Sequence, residues 1–136
     1  MPLQSVKLQD CWDDILPKIE EIMHDLPWKD FRKEDIYTSC ANGNAAIFVD
    51  SDAPLGESFF IARIDEYEST KEKVLFLWIA YSSEGDAALS FSETIFEIAR
   101  NAGCNSVEFS TGSEAVMKHG ENFGFNGVIY RCRKAL

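Results

Sequence analysis

The chain is 136 residues long, 46 % apolar and 12 % aromatic, with a formal net charge of −10. That is enough for one domain with its own core, and residues 1–136 read as such a domain. No apolar run approaches the about 18 residues of a membrane span, and Met1 to Asp10 lacks the basic start and apolar run of a signal peptide, so a cytoplasmic protein is expected.

The acidic balance argues against direct nucleic-acid binding, whose affinity comes mainly from Lys and Arg contacts to phosphate. It suits an amine-bearing acceptor or a basic protein partner instead, besides plain solubility. The four cysteines, Cys11, Cys40, Cys104 and Cys132, form no close pair, and with His24 and His119 the only histidines no metal site is expected.

In chain order, Gln4 to Leu8 alternates like a short strand. From Trp12, Ile15, Leu16, Ile19, Ile22, Met23 and Leu26 recur at helical spacing, with Asp13, Asp14, Lys18, Glu20 and Glu21 opposite. Pro17 then has to sit in the first turn or kink the helix, because deeper inside it deletes a backbone hydrogen bond and clashes with the preceding turn. A cap at Asp13 or Asp14 meets that limit. Leu26-Pro27-Trp28 breaks the pattern, and Phe31 to Cys40 reads as a second helix closed by Asn42-Gly43.

The period then changes from 3.6 to 2. Ala45 to Asp50, Ser58 to Asp65 and Lys73 to Tyr81 read as three strands, and the short links between them imply an antiparallel meander. Asp86 to Asn101 follows as a long helix with Ala87, Ala88, Phe91, Ile95, Ile98, Ala99 and Ala102 on one face and Gly103 at its C-terminus. Asn105 to Ser110 is the next strand, Ser113 to Asn122 a short helix with Ser113 as its cap, and Gly127 to Arg133 a final strand. A strand, helix, strand unit runs parallel, which sets Lys73 to Tyr81 beside Asn105 to Ser110.

The junction Tyr81-Ser82-Ser83-Glu84-Gly85-Asp86-Ala87 joins an apolar strand to a helix start, where unpaired backbone N–H groups and the helix dipole favour an anion such as phosphate. Gly85 lets a backbone approach a phosphate closely; equally, it makes only the turn, with Asp86 as helix cap. Glu84 and Asp86 oppose the anion, since a carboxylate about 4 Å from a phosphate charge costs about 4 kcal/mol at an effective dielectric near 20.

The order β-α-α-β-β-β-α-β-α-β, with these marks, resembles the GNAT superfamily of acyl-CoA-dependent N-acyltransferases over nearly the whole chain. In that family the turn after the fourth strand reads Gln/Arg-x-x-Gly-x-Gly/Ala; Ser82 to Ala87 keeps Gly85 and the small Ala87 and replaces the basic or amide position by Ser82. Phe123-Gly124-Phe125 is similar to the Gly-Phe that closes the family's short C-terminal helix, while Gly120 and Ser113 stand where the family commonly has a tyrosine acid and an asparagine. The length and the Leu16-Pro17-Lys18-Ile19 run after Asp13 are also similar to short GNAT-like proteins of bacteriophage genomes.

The resemblance implies an α/β (α+β) fold of GNAT type, with a mixed, mostly antiparallel sheet flanked by helices. It implies acetyl-CoA as cofactor, held by Ile79, Ala80 and Tyr81 on the strand and by Gly85, Asp86, Ala87 and Ala88 at the turn. Trp28, Phe31 and Tyr37 fall in the region that forms the family's acceptor pocket, although core packing accounts for aromatics there equally. No glutamate lies between Lys73 and Ser83, where the family's base is typical; Glu108 and His119 are the catalytic candidates, beside the plainer readings of a solvated carboxylate and a surface histidine. The expected function is an N-acetyltransferase-like protein with weak or lost catalysis, and the alternative is a non-catalytic GNAT-fold protein that engages a partner through its acidic surface.

Overall fold

The structure, a computed structural model, describes residues 3–25, 31–83, 91–111, 114–127 and 134. Its elements are β1 (Leu3–Val6), α1 (Leu8–Asp25), α2 (Lys33–Ala41), β2 (Ala45–Asp50), β3 (Ser58–Glu66), β4 (Lys73–Ser82), α3 (Ser92–Asn101), β5 (Ser106–Phe109) and α4 (Glu114–Glu121). The five strands form one sheet in the order β1-β2-β3-β4-β5. Every pairing is antiparallel except β4 with β5, which is parallel, as the helix between them requires. This is the mixed, mostly antiparallel sheet flanked by helices that the sequence led us to expect.

The sheet divides the core in two. Ile15 and Ile19 of α1 and Ile36 of α2 pack on Ile47, Phe59, Ile61 and Ile79. Ile95 and Ala99 of α3 cover the other face, against Phe60, Ala62, Leu75 and Leu77. Since β3 is covered on both sides, Ser58 to Ala62 is buried without a break, which is why its sequence Ser-Phe-Phe-Ile-Ala shows no polar alternation.

The first helix departs from the expectation. It begins at Leu8, directly after β1, so Pro17 lies in its interior rather than in its first turn. The apolar periodicity explains this: Leu8 and Cys11 continue the stripe of Ile15 and Ile19 backwards, and all four are buried. Burial of that stripe outweighs the one backbone hydrogen bond that Pro17 cannot make to the Asp13 carbonyl on the exposed side. Nearby, Gly56 of the β2–β3 link has φ +90°, and a Cβ there would stand 2.6 Å from the Asp14 carbonyl oxygen. The link can therefore touch α1 only through a glycine.

The β2 boundaries match the sequence reading, β3 and β4 run one residue longer at their C-terminal ends, and β5 is one residue shorter at each end. Ala102 sits exposed at the C-cap of α3, off the apolar face on which it was placed. The expected start of that helix at Asp86 lies outside the described residues, and Phe91, placed inside it, is its N-cap; of the expected final strand from Gly127 to Arg133 only Gly127 is described, outside any strand, and 128–133 are not described.

β4 contains a bulge that an unbroken apolar run conceals. Ile61 is paired with Ile79 and Ala62 with Leu77, so Trp78 is an extra residue in β4. The extra residue resets the alternation: Leu75 and Leu77 face α3, whereas Ile79 and Tyr81, two and four residues on, pack on the side of α1 and α2.

Candidate functional site at the divergence of two strands

β4 outruns its parallel neighbour. Among the described residues the β4–β5 ladder holds from Val74 and Ser106 to Leu77 and Phe109, whereas β4 stays paired with β3 through Ser82. The ladder stops at the residue before the bulge, and a bulged strand bends. On the β3 side, the Ser83 N–H donates to the Glu57 carbonyl. By antiparallel alternation, Tyr81 and Ile79 then bond to β3, and the N–H and C=O of Ala80 turn toward the side that β5 has left. An open strand edge of this kind pairs readily with an extended amide-bearing chain.

The side chains around this mouth sort by face. Ile79 is buried in the core beside α1 and α2. Tyr81 stacks on Phe59 with centroids 5.9 Å apart, and the Lys18 ammonium lies 5.1 Å from its ring centroid. The Lys18 pKa is raised, first by its hydrogen bond to Tyr81. Of the three strand residues named from sequence, only Ala80 sits on the α3 side and turns its main chain to the gap; Ile79 and Tyr81 spend their main-chain groups on β3 and their side chains on the α1 and α2 side, so neither lines the gap as expected. Gly85, Asp86, Ala87 and Ala88 lie outside the described residues, as does Trp28.

On the α3 side the mouth is aromatic. Phe109 meets Phe125 edge to face at 5.0 Å, and Phe125 meets Phe96 at 5.8 Å. A Cβ on Gly120 would stand 3.4 Å from the Phe109 ring, so α4 reaches β5 through a residue without a side chain. A tyrosine at this position would have to displace Phe109. His119, one residue earlier, is exposed and stacked on Phe123 at 5.6 Å.

Glu108 is on the opposite face, because its neighbours Val107 and Phe109 pack on the α3 side. Its register partner is Phe76 of β4, whose own partner is Arg63 of β3. The Tyr67 hydroxyl donates to Glu108 Oε2, and that hydrogen bond is the main reason the Tyr67 pKa is raised. The Arg63 guanidinium lies over Phe76 and Trp78, 4.9 and 4.6 Å from their centroids, and its Nε donates to Asp65 at 3.1 Å. Phe31 packs edge to face on Trp78 at 5.4 Å.

The structure thus brings Phe31 and Glu108 to one face of the β3–β5 end. It leaves Tyr37 elsewhere: Tyr37 packs on Trp12 and borders a cavity of about 360 Å³ between β1, α2 and β2 and a groove of about 380 Å³ between α1 and α2. It also puts Glu108 and His119 on opposite sides of the sheet, so the two do not form one acid–base pair. Sequence reasoning missed Arg63, Tyr67, Phe76 and Trp78. The register of Arg63 with Phe76, counted back from the β3–β4 turn, was the available signal, but the unbroken apolar run of β4 gave Phe76 and Trp78 no mark of their own.

No family model matches the sequence, nor does any curated protein sequence. Solved structures do match along the whole chain. A probable acetyltransferase superposes with a TM-score of 0.71 at 17 % identity, covering 100 % of this chain and 97 % of that one. A predicted acetyltransferase from Clostridium acetobutylicum, solved with acetyl-CoA, gives 0.70 at 6 % identity over 98 % and 94 %. An aminoglycoside acetyltransferase from an uncultured soil metagenomic sample, in complex with sisomicin, gives 0.66 at 8 % identity over 98 % and 95 %. At such identities the likeness speaks to architecture; the chain has the fold of the GNAT-type acetyltransferases.

Proposed function

We propose that the protein is an acyl-CoA-dependent N-acetyltransferase-like protein with an amine-bearing acceptor and slow chemistry. One observation carries this reading: β4 runs five residues past the end of its ladder with β5 and offers the Ala80 main chain to the opening. In a fold shared with a structure that holds acetyl-CoA, that edge fits an extended amide arm. Ala80, too small to block the edge, would hold the arm, and the Gly85-containing run expected from sequence to meet the phosphates lies outside the described residues. Bound acetyl-CoA would supply an activated acetyl thioester.

The chain's own groups divide the remaining work. An acceptor amine with a pKa near 10 is mostly protonated at pH 7, so attack needs a base. Glu108, one register position before the divergence, would take that proton. No acid stands at Gly120, but a thiolate with a pKa near 8.5 departs near neutral pH without much help, so the missing acid slows turnover by about 10²- to 10⁴-fold rather than abolishing it. Glu84 and Asp86 weaken phosphate capture by charge.

Calorimetric titration with CoA and acetyl-CoA, followed by acetyl transfer to a panel of amines, tests the proposal. The expected result is measurable cofactor binding, strengthened by Glu84→Lys with Asp86→Lys, and weak transfer. A folded protein that binds neither cofactor overturns it in favour of a non-catalytic protein recognising a basic partner. No described helix is long and apolar enough to cross a membrane.

A further inference from the structure

Arg63, Phe76 and Glu108 occupy one row across three neighbouring strands, on the face beside α1 and α2. Two strand spacings, about 10 Å, separate the Cα atoms of Arg63 and Glu108, with an aromatic ring between them. The two charges are opposite, yet they make no ion pair: Arg63 pairs through Nε with Asp65, and Glu108 accepts from Tyr67. Each is held by a neighbour in a way that leaves capacity. Nε to Asp65 orients the guanidinium while Phe76 and Trp78 support its plane, and its Nη groups make no hydrogen bond within the described residues. Glu108 keeps its Oε1 similarly without a partner within the described residues. Arg63, Phe76, Trp78 and Glu108 are all half-buried, so the row is reachable from solvent but partly screened from it.

We propose that this row is a subsite for a small zwitterion: an amino acid whose ammonium is held by Glu108 and whose carboxylate is held by the Nη edge of Arg63, over the Phe76 and Trp78 rings. The chemistry follows from the donors. A guanidinium fixed in its plane binds a carboxylate bidentately, and a carboxylate fixed by a phenol binds an ammonium. Tyr67 is a positioning residue that acts through Glu108. An amine bound at Glu108 would lie next to the divergence of β4 and β5, so the subsite rests on the acceptor side of the acetyltransferase reading and narrows it to amino acids. It also explains how a protein of net charge −10 would retain an acceptor that carries an anionic group.

The test measures binding without any CoA, so its outcome is separate from that of the cofactor titration. Glycine, β-alanine and 4-aminobutyrate are titrated calorimetrically, each against the alkylamine of equal chain length that lacks the carboxylate. At least one amino acid is expected to bind about 10- to 100-fold more tightly than its matched amine, the range of one charge-assisted pair. Arg63→Gln should erase that preference, while Arg63→Lys, which keeps the charge but not the fork, should restore part of it. Glu108→Gln should weaken amino acid and alkylamine alike. Tyr67→Phe should shift the pH dependence of amine binding without touching the carboxylate preference. Circular dichroism of each variant guards against unfolding. No amino acid preferred over its amine, or a preference that survives in folded Arg63→Gln, overturns the proposal.

Discussion

The two ladders of β4 behave differently. Toward β3, β4 is paired from Lys73 opposite Glu66 to Ser82 opposite Ser58, and the flanking core is sealed by buried isoleucines on α1 and α2. Toward β5 it is paired over four residues, and among the described residues the ladder stops there. One side of the strand is committed to stability and the other presents the Ala80 main chain away from β3, so substitutions on the two sides should differ in kind as well as in size. Strand edges without partners are a hazard unless something is meant to occupy them.

The sealed side can be broken most severely. Ile15→Ala empties a fully buried position between α1 and the sheet, and a loss of about 2–5 kcal/mol is expected from denaturant melts. Gly56→Ala comes next. It forces a side chain into a positive-φ position and against the Asp14 carbonyl, at a cost of about 1–3 kcal/mol by the same measurement. A loss below about 0.5 kcal/mol would mean that the β2–β3 link is not held against α1.

A smaller effect appears only at high pH. Burial first, then the Asp10 and Asp14 carboxylates, push the Cys11 thiol up from 9.0 to about 11. The folded state therefore favours the neutral thiol more than the unfolded chain does. Its contribution is whole below pH 9.0 and is lost as pH rises toward about 11. Thermal melts across that window should fall more steeply for the wild type than for Cys11→Ala. Cys40, with a thiol also pushed up to about 11 mainly by burial, adds to the remaining slope.

On the open side the expected stability change is least. Glu108→Gln and Tyr67→Phe alter partly or fully exposed groups and should leave stability within about 0.5 kcal/mol. Glu108→Gln should nevertheless lower acetyl transfer by about 10²-fold or more, with loss of the pH rise that a base confers. If both variants transfer acetyl like the wild type, Glu108 is a bystander and the comparison between the two sides loses its functional half.

Much of the architecture could be read before the coordinates. The period-2 runs gave β2 to β4 nearly to the residue, because each is bounded by turn-forming links such as Asp52-Ala53-Pro54-Leu55-Gly56. Pro17 misdirected the start of α1, since its local cost was weighed without the tertiary burial of Leu8 and Cys11 that offsets it. The site was less legible. Val74 to Tyr81 is apolar at nearly every position, so no pattern announces that Trp78 is out of step. Tyr67 and Glu108 are 41 residues apart, a separation at which spacing carries no signal. Glu108 was found because it interrupts two apolar residues; Arg63 was not, because nothing nearby in sequence hints at the rings it covers.

The extra residue at Trp78 has an evolutionary consequence. Because Trp78 has no register partner on β3, a deletion of Trp78 would leave the other pairings of β3 with β4 in place and give a straighter strand. Such a shortened chain would close the gap beside β5 and lose the ring that packs on Phe31 and lies under Arg63. The opening is set by how many residues β4 contains more than by which apolar residues they are. Drift among Val, Leu and Ile along this strand is tolerable, whereas the loss of a single codon would remove the opening on which the proposed cofactor site depends.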